Sequence, residues 1–210
     1  MEYQRRAPTY FLVELSRRYS LRECEELEQS FNDFISCCNQ DPQALETLWL
    51  SVITDGGAKG GPPPLTSVVE YASSRLFTNR ESNEVAIAPL LSKAAEQMTE
   101  EILLRSITSK GDYSPLVVIL LLGPPTDDAN FLNALRQLSH HPTEPKVVML
   151  VRSDQPMAHG LDGFLLEAPG FVEKFTGELL YKTWSYYQQP WGAFWESYLP
   201  DSSFLSHPVS

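Results

Sequence analysis

Cysteine is scarce in this chain. Only three are present, Cys24, Cys37 and Cys38, and all fall in one predicted helix. An odd, bunched set gives no disulfide framework and fits a reducing compartment. Basic side chains are also few, 16 against 27 acids, for a formal net charge of −11. A surface this acidic has no general field for nucleic acid or an anionic membrane, so neither is expected as a partner. No long apolar run follows the two arginines near the start. Glu14 breaks the stretch APTYFLVEL, which reads as neither a signal peptide nor a membrane span. The expectation is a soluble, cytoplasmic protein.

Motifs that carry chemistry are missing too. There is no Gly-x-Ser-x-Gly elbow for a nucleophile and no Gly-x-Gly-x-x-Gly opening a helix for a dinucleotide. The glycine-rich piece Asp55 to Gly61 holds Lys59, but three prolines, Pro62 to Pro64, follow it. A phosphate loop needs its Gly-Lys-Ser/Thr to open a helix, and none can start there. His140 and His141 are adjacent rather than four apart, His159 and His207 stand alone, and the cysteines lack Cys-x-x-Cys spacing. No enzyme activity, metal or cofactor is expected. The vicinal Cys37-Cys38 reads as two helix residues, one of them in the core, because no basic neighbour would lower a thiol pKa.

What is present is a doubly wound pattern. Leu116 to Leu122, closed by Pro115 and Gly123, is apolar throughout. A strand with one wet face alternates, so this one is expected to be buried on both faces, at the centre of a parallel sheet. Further strands are expected at Thr9 to Glu14, Leu48 to Thr54, Leu65 to Tyr71 (a short edge), Lys146 to Arg152 and Gly163 to Glu167. Ser20 with Glu23 forms a capping box for a helix to about Asn39. In that helix Cys24, Leu27, Phe31, Phe34, Ile35 and Cys38 make one apolar face. Asp41-Pro42 starts a helical turn through Glu46. Longer helices are expected from Ser82 or Asn83 to Ser106, with Leu103 on an apolar face, from about Asp127 to His140, with Phe131, Leu132, Leu135 and Leu138 facing in, and from Phe171 to Tyr187. Alternating strands and helices argue an α/β fold with a mostly parallel central sheet flanked by helices.

The chain is read as one domain, residues 5–187, and a tail, residues 188–210. In the tail Trp191, Phe194, Trp195 and Tyr198 fall at i, i+3, i+4 and i+7, one stripe of a short helix between Pro190 and Pro200. Two readings stand for it. The stripe folds back on its own domain, or it anchors a protein partner or a second copy of the chain.

Three stretches resemble the von Willebrand factor A (VWA) family, most of all its bacterial TerY-like group, which is associated with tellurium-resistance gene clusters. They are Arg6 to Ser16, Asp41 to Thr47 running into LWLSVIT, and Lys110 to Pro115 leading into the central strand. The resemblance implies a Rossmann-like fold and a metal-ion-dependent adhesion site after the first and central strands. Such a site uses Asp-x-Ser-x-Ser, a Thr from a second loop and a further Asp, because a hard divalent ion wants oxygen ligands. This chain departs from the pattern. Glu14 replaces the first Asp, Ser16 matches the first Ser, and Arg18 stands at the second Ser. Asn83 or a neighbour stands for the Thr, and Leu122 stands at the final Asp. The resemblance therefore implies a degenerate site with no metal, Arg18 pairing with Glu14 or another acid. The function implied is an adaptor or scaffold in a bacterial complex, tied to stress response. The alternatives are a regulatory VWA protein that keeps a divalent cation in a rearranged site and, after it, an α/β enzyme.

Overall fold

The computed structural model describes residues 5–15, 20–54, 63–71, 87–106, 110–121, 128–151, 170–171 and 175–188. In chain order the elements are β1 (Ala7–Val13), α1 (Leu21–Cys38), α2 (Pro42–Thr47), β2 (Leu48–Thr54), β3 (Thr66–Ser67), α3 (Ile87–Glu101), β4 (Leu116–Leu121), α4 (Asp128–Ser139), β5 (Lys146–Val151), β6 (Gly170–Phe171) and α5 (Gly177–Gln188). Among the described residues the strands form one sheet in the order β3-β2-β1-β4-β5-β6. Every pairing is parallel except β2 with β3. The chain is thus a doubly wound α/β domain with a mostly parallel sheet flanked by helices.

The sheet has a core on each side, which is why β4 has no polar residue. Phe11 and Leu120 point to the layer of α1, α2 and α5. Their neighbours Leu12 and Ile119 point to the layer of α3 and α4. On the first side Phe11 meets Phe31 and Phe34 edge-on, its ring centred 5.2 Å from each of theirs. Such pairs favour edge-to-face geometry because the ring edge is positive and the face negative.

Local signals set most boundaries. The capping box is formed: the Glu23 N–H donates to Ser20 Oγ (3.2 Å) and the Ser20 N–H to Glu23 Oε2 (2.7 Å). All six apolar-face residues of α1 are buried. Asp41 caps α2, its Oδ1 accepting from the Gln43 N–H at 2.9 Å.

Four expectations need correction. The edge strand is Thr66–Ser67 alone; the chain then turns, the Glu70 N–H donating to Ser67 O at 2.9 Å. Helix α3 ends at Glu101, short of Ser106, and Leu103 is exposed. The Leu103 N–H goes to Asp112 Oδ2 (2.9 Å) and Leu103 O accepts from the Asp112 N–H (2.7 Å), so the 110–113 loop captures the groups that would continue the helix. Leu132 is half-buried, and Ala134 takes the inward position in its place. Phe171 lies in β6 opposite Val151, and α5 starts at Gly177. The reason is Thr176, whose Oγ1 accepts from the Leu179 N–H at 3.1 Å as an N-cap. The strand expected at Gly163 to Glu167 and the helix start at Ser82 or Asn83 lie outside the described residues.

Helices α1 and α5 approach closely at Gly177. A Cβ there would lie 2.5 Å from the Phe34 backbone nitrogen and against Asp33. Gly177→Ala must therefore push the helices apart. It is expected to cost about 1–3 kcal/mol, the range for overpacking, read by urea melts as a lower midpoint.

Candidate functional site

In open α/β sheets ligands bind beyond the carboxyl ends of the strands, where the strand order reverses. Here that point lies between β1 and β4, which pair side by side while their successors β2 and β5 lie on opposite sides. Glu14 follows β1 directly and is wholly buried, and Thr54, opposite Val13 at the end of β2, is 8% exposed. Of the residues that carry the degenerate-site reading, only Glu14 is described. Ser16, Arg18, Asn83 and Leu122 lie outside the described residues, as do Trp191, Phe194, Trp195 and Tyr198. Among the described residues no three His, Cys, Asp or Glu side chains cluster to hold a metal ion.

The structure brings together a different set at the opposite end, where the parallel strands begin. The Arg6 guanidinium meets the Asp112 carboxylate through Nη2 to Oδ2 (2.6 Å) and Nε to Oδ1 (3.0 Å). Its Nη2 also donates to Glu101 O at 2.6 Å, and the guanidinium lies 5.2 Å from the Trp49 ring centre. The Asp112 side chain is 0% exposed and that of Arg6 18%. Arg5 stacks 4.0 Å over the Tyr113 ring and donates from Nε to Gly111 O at 3.1 Å. The Tyr113 N–H donates to Arg6 O at 2.9 Å. The arginines before β1 and the loop before β4 are thus one unit, joined across more than a hundred residues. Sequence reasoning missed this pairing. Its only signal was a pair of arginines and an aspartate, each just before an apolar strand.

The neighbouring polar groups are structural as well. Ser51, buried in β2, donates to Pro63 O at 2.6 Å, and Gln97 of α3 donates to the same carbonyl at 2.7 Å. Glu101 Oε2 accepts from the Leu65 N–H at 3.1 Å, tying the chain before β3 to α3. Burial first, then the nearby Glu101 carboxylate, push the Tyr10 phenol above its ordinary range. Tyr181 donates its hydroxyl to Asp41 Oδ2 at 2.9 Å, fastening α5 to the cap of α2.

Among the described residues the histidines and cysteines do not converge. His140 Nδ1 donates to Arg136 O at 2.7 Å. His141 Nδ1 accepts from the Thr143 N–H at 3.3 Å, which leaves Nε2–H to donate to Thr99 Oγ1 at 3.0 Å. The two rings close the end of α4 instead of sharing a ligand. Cys24 and Cys38 are buried and Cys37 half-buried. Burial pushes the Cys38 thiol well above its ordinary range, with Cys37 and Asp41 adding to the shift.

Neither a protein-family model nor a curated relative matches the sequence. Solved structures do. Proximal thread matrix protein 1 from the mussel byssus is similar with a TM-score of 0.53 at 10% identity, over 87% of this chain and 47% of that one. The pilus adhesin SpaC from Lactobacillus rhamnosus GG is similar with a TM-score of 0.52 at 10% identity, over 73% of this chain and 25% of that one. Both are VWA-domain proteins. The fold is VWA-like. At such identity the likeness shows the fold alone, and this chain spans 47% and 25% of the two neighbours' lengths. Among the described residues no helix of this VWA-like domain is long and apolar enough to cross a membrane.

Proposed function

We propose that this VWA-like chain is a non-enzymatic protein-interaction module that works without the metal-ion-dependent adhesion site of its fold. It acts as an adaptor or scaffold subunit, and the TerY-like resemblance favours a cytoplasmic bacterial complex tied to stress response. The observation that carries the reading is at the switch point: the residue after β1 is a fully buried Glu14, and the residue after β4 is a leucine. A partner's carboxylate is recruited in such sites by an exposed divalent ion, and this pair of residues does not offer one. The neighbours support the interaction role, since one is a thread matrix protein and the other a pilus adhesin. Contact with the partner is assigned to the aromatic stripe of Trp191, Phe194, Trp195 and Tyr198, whose residue types dominate binding hot spots.

The test is a pull-down from native cell extract in EDTA, with the full chain and with Trp191→Ser/Trp195→Ser. A partner held by the full chain in EDTA and lost with the variant is the expected result. Capture only after Mg²⁺ is restored would overturn it. Thermal melting gives a second readout: the midpoint is expected to stay within about 1 °C when millimolar Mg²⁺ is added, because an ion that binds only the native state must raise it.

A further inference from the structure

The end of the domain where the parallel strands begin carries an apolar and basic surface. Leu103 and Leu104 are 47% and 57% exposed. They sit beside the Gly111–Tyr113 segment, since Leu103 O accepts from the Asp112 N–H. Arg105 and Lys110 are exposed next to them, and Arg5 lies over Tyr113. Basic groups gathered on one surface of a chain with a net charge of −11 call for an explanation.

The chain's own last segment leaves from the same place. Gln188, the last residue of α5, is buried and donates from Nε2 to Ser114 O (3.2 Å) and Pro8 O (3.4 Å). Lys146 Nζ holds Tyr187 O at 2.6 Å. The helix end is therefore pinned two residues along the chain from Asp112. Two residues separate Gln188 from Trp191, and residues 189–210 contain two acids, Glu196 and Asp201, and no lysine or arginine. We propose that the stripe of Trp191, Phe194, Trp195 and Tyr198 docks on this end of its own domain, over Leu103 and Leu104.

Magnitudes favour this occupant. Aromatic side chains bury about 150–250 Å² each, so four left in water would exceed the few hundred Å² of contiguous apolar surface that soluble monomers tolerate. A short tether holds the stripe at roughly millimolar effective concentration over its own domain, so it outcompetes a second copy present at micromolar levels. The inference concerns the free chain and does not rest on the interaction role proposed above. A partner that uses the stripe must first displace it.

Amide hydrogen exchange of the full chain tests this. Residues 191–198 are expected to exchange about tenfold more slowly than an unstructured peptide, equally at low and high protein concentration. Leu103→Glu/Leu104→Glu changes two exposed side chains and is expected to abolish that protection while amides in α1 and α5 keep theirs. Phe194→Ser/Trp195→Ser alters only residues beyond α5, so the domain stays folded; it is expected to speed exchange at Leu104 and Arg105. No protection of 191–198 in the native chain overturns the proposal. So does protection that appears only as concentration rises, which would mark a second copy as the occupant. Unchanged exchange at Leu104 and Arg105 in the tail variant overturns it as well.

Discussion

Asp112→Ala is expected to lower the stability of the domain by roughly 3–5 kcal/mol, the cost of removing one partner from a buried ion pair. The carboxylate is fully buried and does three things at once: it accepts from Nε and Nη2 of Arg6, accepts the Leu103 N–H that ends α3, and holds the loop that leads into β4. Removing it strands a guanidinium that is four-fifths out of water and leaves a backbone N–H without its acceptor. In urea the midpoint should fall with the slope unchanged. On heating, each kcal/mol is worth about 2–4 °C for a chain of this size. Asp112→Asn should lose less, since its side-chain oxygen can still accept from Leu103. The informative control removes both charges. Arg6→Met with Asp112→Leu should recover part of the loss, because an apolar pair avoids the desolvation that a stranded charge suffers. If Asp112→Ala melts within 2 °C of the native chain, the pair does not clamp the end of α3 to the loop before β4.

The second large effect is expected one residue earlier. Gly111 has φ of +65°, and a Cβ there would stand 2.5 Å from Arg105 N and 2.7 Å from Leu103 O. An alanine costs about 1–2 kcal/mol for the left-handed backbone alone. Crowding against main-chain atoms adds about 1–3 kcal/mol, because no flexible side chain can yield. The left-handed turn delivers Asp112 to Arg6, so Gly111→Ala and Asp112→Ala act on one unit. Their combined loss should fall short of the sum, by the coupling typical of residues in one network. Additive losses would mean that the turn and the ion pair are independent.

The elements most legible in sequence were those set by local chemistry. The capping box at Ser20, the Asp41-Pro42 start of α2 and the unbroken apolar run of β4 each state their structure within a few residues. The misplaced boundaries share another cause. Helix α3 looks able to run on to Ser106, and it stops at Glu101 because Asp112, nine residues further on and held by Arg6, takes the Leu103 N–H. Helix α5 looks able to begin at Phe171, whose backbone instead pairs in β6 with Val151. In the candidate site Glu14 was legible as a departure from the family's aspartate, but nothing local announced that it would be wholly buried.

The sequence by itself determined the fold class, the two-sided core and the lack of a recognisable catalytic motif, because side-chain periodicity and spacing are local properties that water reads the same way in any chain. Tertiary structure alone decided that Arg6 meets Asp112, that Leu103 and Leu104 stay exposed beside Gly111, and that Gln188 brings the end of α5 to the same surface. The contacts of Arg6 and Gln188 join residues 74 to 180 positions apart. They exist only because the parallel sheet sets β1 and β4 side by side, and no window along the chain contains both partners.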